Sequence, residues 1–364
     1  MKITHISPWS MCKLEHSALC MSYHWMSWES QGLLPWENQT TIVEFVLRGF
    51  SSNRQLNIFF FIMFFAFYIL IISGNILIVL LVLFSQHLHS PMYFFLVNLP
   101  LLEICYTSNI VPKMLLIIIA QQKTISVAGC LAQFYFFGSL AATECLLLAV
   151  MSYDQYLAIC QPLHYPFLMT GPLCIRLAAS SWICCFFLTA ITVVLLSRLT
   201  FCGPNEIDHF FCDFTPLVHL SCMDSSLTEI IAFTTSSAVT LVPFFLIAAS
   251  YSCILVAILR IPSRTGRRKA FSTCSSHLTV VTVFYGTLIT TYLVPSANSS
   301  QLLCKGFSLL YTILTPMFNP IIYTLRNRDI HEALKMCLSK KAAFLLSCCK
   351  EEKLDICPRD KELD

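Results

Sequence analysis

The sequence predicts an all-α membrane protein, a seven-transmembrane helix bundle with a short amphipathic eighth helix. Three observations lead there. The 364 residues are 56% hydrophobic and only 12% charged, with 29 Phe and a mean hydropathy of +0.70, values that a water-soluble domain rarely reaches. About seven apolar runs are long enough, at roughly 20 residues each, to cross a hydrocarbon core. The bases and the loop cysteines between those runs sort consistently to opposite sides of a membrane. Net charge is +3, too small and too dispersed for a nucleic-acid partner.

In chain order, residues 1–57 read as an extracellular N-terminal segment, 58–325 as the seven-span domain, and 326–364 as a cytoplasmic amphipathic helix and tail. The opening "MKITHISPWSMCKLEHSALC" has no continuous apolar core, so no removable signal peptide is expected and the first span directs insertion. The runs are 58–84, 92–119, 131–159, 173–195, 230–259, 270–292 and 306–325.

Orientation follows from three signals. Between the fifth and sixth runs, "RIPSRTGRRKA" carries Arg260, Arg264, Arg267, Arg268 and Lys269, which marks a cytoplasmic loop. Asn38 in "NQT" is a glycosylation acceptor, useful only outside the cell. Cys202, Cys212 and Cys222 share the loop between the fourth and fifth runs, and disulfides there need the oxidising side. An odd number of spans satisfies all three, with the N-terminus outside a plasma membrane. A second sequon at Asn298 lies too close to the seventh run to suit modification.

Most of the 19 Cys fall in apolar runs and read as buried thiols. Beyond the last span, Ile330, Ala333, Leu334 and Cys337 share one helical face with bases opposite, a pattern suited to lying on lipid. Cys337, or Cys348 and Cys349, would be acylated there or remain free thiols.

Helical rise puts Glu103 ~18 Å and Glu144 ~16 Å from the cytoplasmic ends of their spans. Asn75 and Asn319 fall at similar depth. Intramembrane carboxylates are expensive and face the bundle interior. Two at close range need a proton or a cation between them. Oxygen ligands from Glu103, Glu144 and Asn319 suit Na⁺; the alternative is that both acids are protonated and cross-link helices. No other cofactor or metal is expected. The same rise separates Cys130 from Asp154 by ~36 Å, which sets them at opposite rims of the third span.

On that frame the motifs become recognisable. "GN" at Gly74, "PMYFFLVNLPLLEICYTS" from Pro91, "MSYDQYLAICQPLHYP" from Met151, "SYSCILVAIL" from Ser250, "RRKAFSTCSSHLTVVTVFYGT" from Arg267 and "PMFNPIIYTLRN" from Pro316 occur in that order. Together they resemble the olfactory receptors among rhodopsin-like G-protein-coupled receptors, from about Asn38 to Leu338. "FCGPNEIDHFFCDF" and "LEICYT" look most similar to the eleventh family of tetrapod-type receptors.

The resemblance implies two bridges, Cys130 to Cys212 and Cys202 to Cys222, although the ten-residue spacing alone permits other pairings. "HFFCD", His209 to Asp213, resembles a metal-binding pattern, but a bridged Cys212 has no thiolate to offer. The implied odorant site lies among the third, fifth, sixth and seventh spans. Phe134, Phe137, Gly138 and Ala141 share one helical face, as do Tyr285, Leu288 and Tyr292. Thr235, Val239, Leu309 and Thr312 complete the wall. Such a lining has a few hydroxyls and no fixed charge, which favours small volatile ligands and disfavours amines.

The coupling residues by resemblance are Asp154, Gln155, Tyr156, Tyr251, Arg267, Arg268, Lys269, Asn319, Pro320 and Tyr323. The implied partner is a heterotrimeric G protein of the stimulatory olfactory type, raising cyclic AMP after a population shift.

Three departures stand out. The first ~20 residues exceed the usual length, which makes Met21 or Met26 an alternative start. Pro100 replaces a Ser of the family, and membrane helices tolerate such a Pro. "DQY" stands where "DRY" is expected. Arg at 155 would be a permanent cation with five donors, so neutral Gln155 predicts weakened coupling with folding and ligand binding retained. Two rivals remain: a receptor-shaped protein that signals poorly, and an ion-coupled transporter, for which no symmetry between halves is visible. Neither HExxH nor GxSxG occurs, so no enzyme is expected.

Overall fold

The computed structural model describes residues 42–50, 53–85, 88–120, 123–202, 204–293, 305–306, 308–327, 329–337 and 339. Asn38, Asn298, Cys348, Cys349, Met21 and Met26 lie outside them, as do the side chains of Lys269 and Tyr292.

Five helices are long and apolar enough to cross a membrane: α1 (Arg54–Phe84), α2 (Pro91–Ile119), α3 (Val127–Cys160), α4 (Gly171–Ser197) and α5 (Ser226–Arg260). Two more follow, α6 (Arg264–Leu293) and α7 (Thr315–Arg326). The first half of α6 carries Arg264, Arg267, Arg268 and the Ser and Thr of "FSTCSSH", which dilutes its apolar content. A π-helical turn, Leu310–Leu314, feeds α7. Residues 329–337 are helical too, with Ile330 and Ala333 buried and Cys337 exposed.

Local chemistry sets the starts. The Asn53 side chain accepts from the Gln55 amide ahead of α1, and the Ser126 hydroxyl accepts from the Gly129 amide ahead of α3. Pro lies in the first turn of α2, α4 and α7, where its missing N–H costs nothing. α3 is the central helix and packs against α2, α4 and α5. α1 meets α7 at Gly74, where an added Cβ would stand 3.1 Å from the Pro320 Cβ. Only glycine leaves room for that approach.

At the end where α3 begins, a three-stranded sheet runs β2 (Thr124–Ser126), β1 (Glu44–Leu47), β3 (Glu206–Ile207). β1 pairs antiparallel with β2, Phe45 opposite Ile125, and parallel with β3, Val46 opposite Glu206. Phe45, Leu47, Ile117, Cys130 and Ile207 form a small core beneath it.

Candidate functional site

Two disulfides staple this capped end, Cys130 to Cys212 and Cys202 to Cys222, with Cα separations of 5.5 and 5.9 Å. These are the pairings that the resemblance implied. With its sulfur in a bridge, Cys212 cannot ligate metal as a thiolate, and no cluster of metal-ligating side chains occurs among the described residues. His209 instead turns inward. It is buried, its Nε2 lies 3.1 Å from the Ser308 hydroxyl, and its ring packs tilted against Phe210 and edge-on to Phe211. Burial and the nearby Lys305 cation push its pKa down to about 3, so it is neutral at ordinary pH.

The loop reaches into the packed helices through Phe211. Phe137 of α3 meets Phe211 edge-on at 5.3 Å and also touches Tyr106 and Tyr311. Phe134, one turn away, packs instead against Phe214 and in a cluster with Leu196 and Val218. A Cβ on Gly138 would stand 3.3 Å from the Thr189 methyl of α4. The shared face expected for Phe134, Phe137, Gly138 and Ala141 is therefore divided: Phe134 and Gly138 turn toward α4 and its following loop, while Phe137 faces α2 and the turn before α7. An arc spanning i to i+7 is wide enough to touch two neighbours, and α3 is central enough to have them. Ala141 is half-buried.

Tyr285 is buried, its hydroxyl 3.5 Å from the Thr240 carbonyl of α5 and in contact with the Cys145 thiol of α3. Phe244 and Phe284 flank its ring. Val239, Leu288 and Leu309 are half-buried in the same core. The Thr235 hydroxyl donates to the Ile231 carbonyl and the Thr312 hydroxyl to the Ser308 carbonyl. Both protons are spent on their own helices, so these hydroxyls offer a ligand lone pairs.

Deeper, Asn75, Glu103, Glu144 and Asn319 share one buried layer. The Asn319 amide donates to Glu103, and Glu144 and Asn75 lie within electrostatic range of it. Glu103 Oε2, Glu144 Oε1, Asn319 Oδ1 and both polar atoms of Asn75 make no hydrogen bond of good geometry, although the Asn75 side chain stands beside Glu103. Tyr323 is buried beside the same carboxylates, and its hydroxyl likewise has none.

At the far end of α3, Gln155 is 4% exposed. The Tyr251 hydroxyl donates to Gln155 Oε1 at 2.9 Å and lies 2.6 Å from His277 Nδ1. The Tyr251 phenol of α5 thus joins His277 of α6 to Gln155 of α3. Asp154 takes the Tyr165 hydroxyl at 2.9 Å, from the short helix Tyr165–Leu168. Tyr156 packs beside Ile254, Ile258 and Cys274. Pro320 is buried against Gly74, Arg268 is exposed, and Arg267 folds back onto the Leu259 and Ile261 carbonyls at the end of α5.

Four residues at these sites escaped the reading of the sequence. The Gln133 side chain donates to the Asn109 carbonyl, the Asn109 side chain donates to the Gln133 carbonyl, and Gln133 Oε1 accepts from the Cys212 amide at 2.9 Å. Tyr165, His277 and Lys305 complete the set. His277 carried a signal in hindsight: a titratable ring inside an apolar run, about two helical turns beyond the basic stretch that ends at Lys269.

Five helices long and apolar enough to cross a membrane, a disulfide-stapled cap and a buried polar layer describe a multi-pass membrane protein. A family model described as "Olfactory receptor" matches residues 64–341. The chain is 54% identical over 301 residues to human olfactory receptor 11A1, covering 83% of this chain and 95% of that one. It is 48% identical to human olfactory receptor 11H6, covering 82% and 90%. It is also 46% identical to mouse olfactory receptor 1M1, covering 84% and 97%. The chain belongs to the olfactory receptor family, a receptor class without enzymatic activity, and its relatives include members of family 11.

Proposed function

We propose that the protein is a seven-span odorant receptor of the plasma membrane, N-terminus outside, that couples to the stimulatory olfactory G protein and raises cyclic AMP. Helices α6 and α7 complete the seven spans, and residues 329–337 lie on the inner leaflet as the eighth helix. Small volatile molecules bind between α3, α5, α6 and the turn before α7. The observation that carries this reading is Tyr285, a phenol flanked by apolar rings that touches both α3 and α5. A ligand above it biases the α6 position, and the inner end of α6 opens for the G protein.

The Thr235 and Thr312 hydroxyls present acceptors, so an alcohol suits the site better than the matching ketone. In cells reporting cyclic AMP, with surface receptor measured alongside, aliphatic alcohols should be more potent than ketones of equal length by about fivefold, the worth of one hydrogen bond. Silence toward the whole panel, at normal surface level and with a functional Gln155→Arg variant equally silent, contradicts the odorant reading.

The orphaned oxygens of Glu103, Glu144, Asn75 and Asn319 have the hard-donor chemistry that suits Na⁺, or a shared proton. They would hold the ion and tie α1, α2, α3 and α7 together in the resting arrangement. Purified receptor should melt several degrees higher in NaCl than in equimolar N-methylglucamine chloride, and Glu144→Gln should abolish the difference. Equal melting in the two salts favours the proton.

Gln155 carries a second reading, reduced coupling. Its side-chain oxygen is already taken by Tyr251 and it brings no charge to the cytoplasmic surface.

A further inference from the structure

Lys305 has no place in the odorant wall or the coupling surface, yet it is a buried cation, 7% exposed. Its ammonium lies 2.6 Å from Asp208 Oδ1 and within 3.2 and 3.4 Å of the Gly49 and Arg48 carbonyls. One side chain before α7 thus holds two other segments: the chain just after β1 and the loop that carries β3. A desolvated ammonium is tolerated only when its donors are satisfied, and this one has three acceptors. Next along that loop, His209 contacts Ser308, Phe210 stacks on Phe50 at 5.2 Å, and Phe211 rests on Phe137. The ion pair therefore stands at the base of the short stretch that delivers Phe211 to the ligand layer.

We propose that Asp208 and Lys305 form a latch that seats Phe211 as the roof of the odorant site, so that the cap sets how long an odorant stays bound. The inference rests on the odorant-site reading for its consequence but not for the latch itself. Asp208 and Lys305 are positioning residues, because they act through Phe211. The bridge at Cys212 fixes one end of the stretch to α3 covalently. The latch fixes the other end to the residues before α7, and only the latch can open and reclose on the time scale of ligand exchange.

Two measurements separate the latch from its consequence. In purified receptor without odorant, hydrogen exchange of the amides at 205–212 and 44–49 should rise in Lys305→Gln and stay near native in Lys305→Arg, which keeps the cation. Unchanged exchange in Lys305→Gln overturns the latch whatever the protein binds. In the cyclic-AMP assay, with the most potent alcohol of the panel as probe, Lys305→Gln and Phe211→Ala should each speed signal decay after washout about tenfold, the worth of a charge-assisted contact. The double variant should decay no faster than either single one, because both remove the same roof. Multiplying effects, or loosened amides with native decay, show a passive cover and overturn the proposal.

Discussion

The two ends of the helices satisfy their polar groups in opposite ways. At the capped end covalent and ionic ties reinforce neutral hydrogen bonds such as the Gln133 clasp on Cys212: two disulfides, the Lys305 to Asp208 pair, and Arg48 with Glu206 at 2.5 Å. From mid-membrane to the Gln155 end the polar groups include exchangeable relays and orphans: His277, Tyr251 and Gln155, the Tyr165 hydroxyl on Asp154, the unpaired atoms of the Glu103 layer, and the Tyr323 hydroxyl without a partner. Covalent ties and paired charges hold one arrangement. Neutral hydrogen bonds are worth only about 0.5–1.5 kcal/mol each and can be exchanged for others at little cost. The difference teaches where this receptor can change shape, namely at the end that faces the G protein in the proposed orientation.

The strongest way to break that contrast is to cut the cap. Cys130→Ser removes a bridge across 82 residues, which should cost about 2–5 kcal/mol and leave little receptor at the cell surface by antibody labelling of intact cells. Native surface levels would mean that the sheet alone holds the cap. Next is the α1 to α7 contact. Gly74→Val must displace Pro320, an overpacking expected to cost about 1–3 kcal/mol, read as a lower melting temperature. Pro320 begins the "PIIY" segment, so the response should fall further than the surface level does. Smallest is a proton effect at the cap. The folded His209 has a pKa of about 3 against an ordinary 6.5, so the open cap binds the proton more readily. Closed-cap stability is then fully present above about pH 6.5 and is lost progressively as pH falls toward 3. Lys305 and Asp208 are the charged groups that face the ring. Melting temperature should decline from pH 7.5 to 5.5, and His209→Asn should flatten the decline.

The comparison also explains what was legible in the sequence. Runs 92–119 and 131–159 match α2 and α3 to within a few residues, because hydrocarbon thickness dictates apolar length. α6 starts at Arg264 rather than 270, since bases are compatible with a helix that continues beyond the hydrocarbon. Depth arithmetic brought Glu103, Glu144, Asn75 and Asn319 to one layer because rise per residue is constant. The cap was illegible. Strands of two to four residues carry no period, and Lys305 lay one residue outside the seventh run. Phe134 and Phe137 separated because periodicity names a face without naming the neighbour opposite it.

In the proposed function, recognition sits toward the fixed end and coupling at the neutral relay, so that Gln155 limits the second without touching the first. The direct measurement is a concentration–response curve for the most potent alcohol in native and Gln155→Arg receptors, normalised to surface level. The account predicts a maximal cyclic-AMP response several-fold higher in Gln155→Arg at an odorant dissociation constant within about twofold of native. An unchanged maximum, or a shifted dissociation constant that explains the gain, would contradict it.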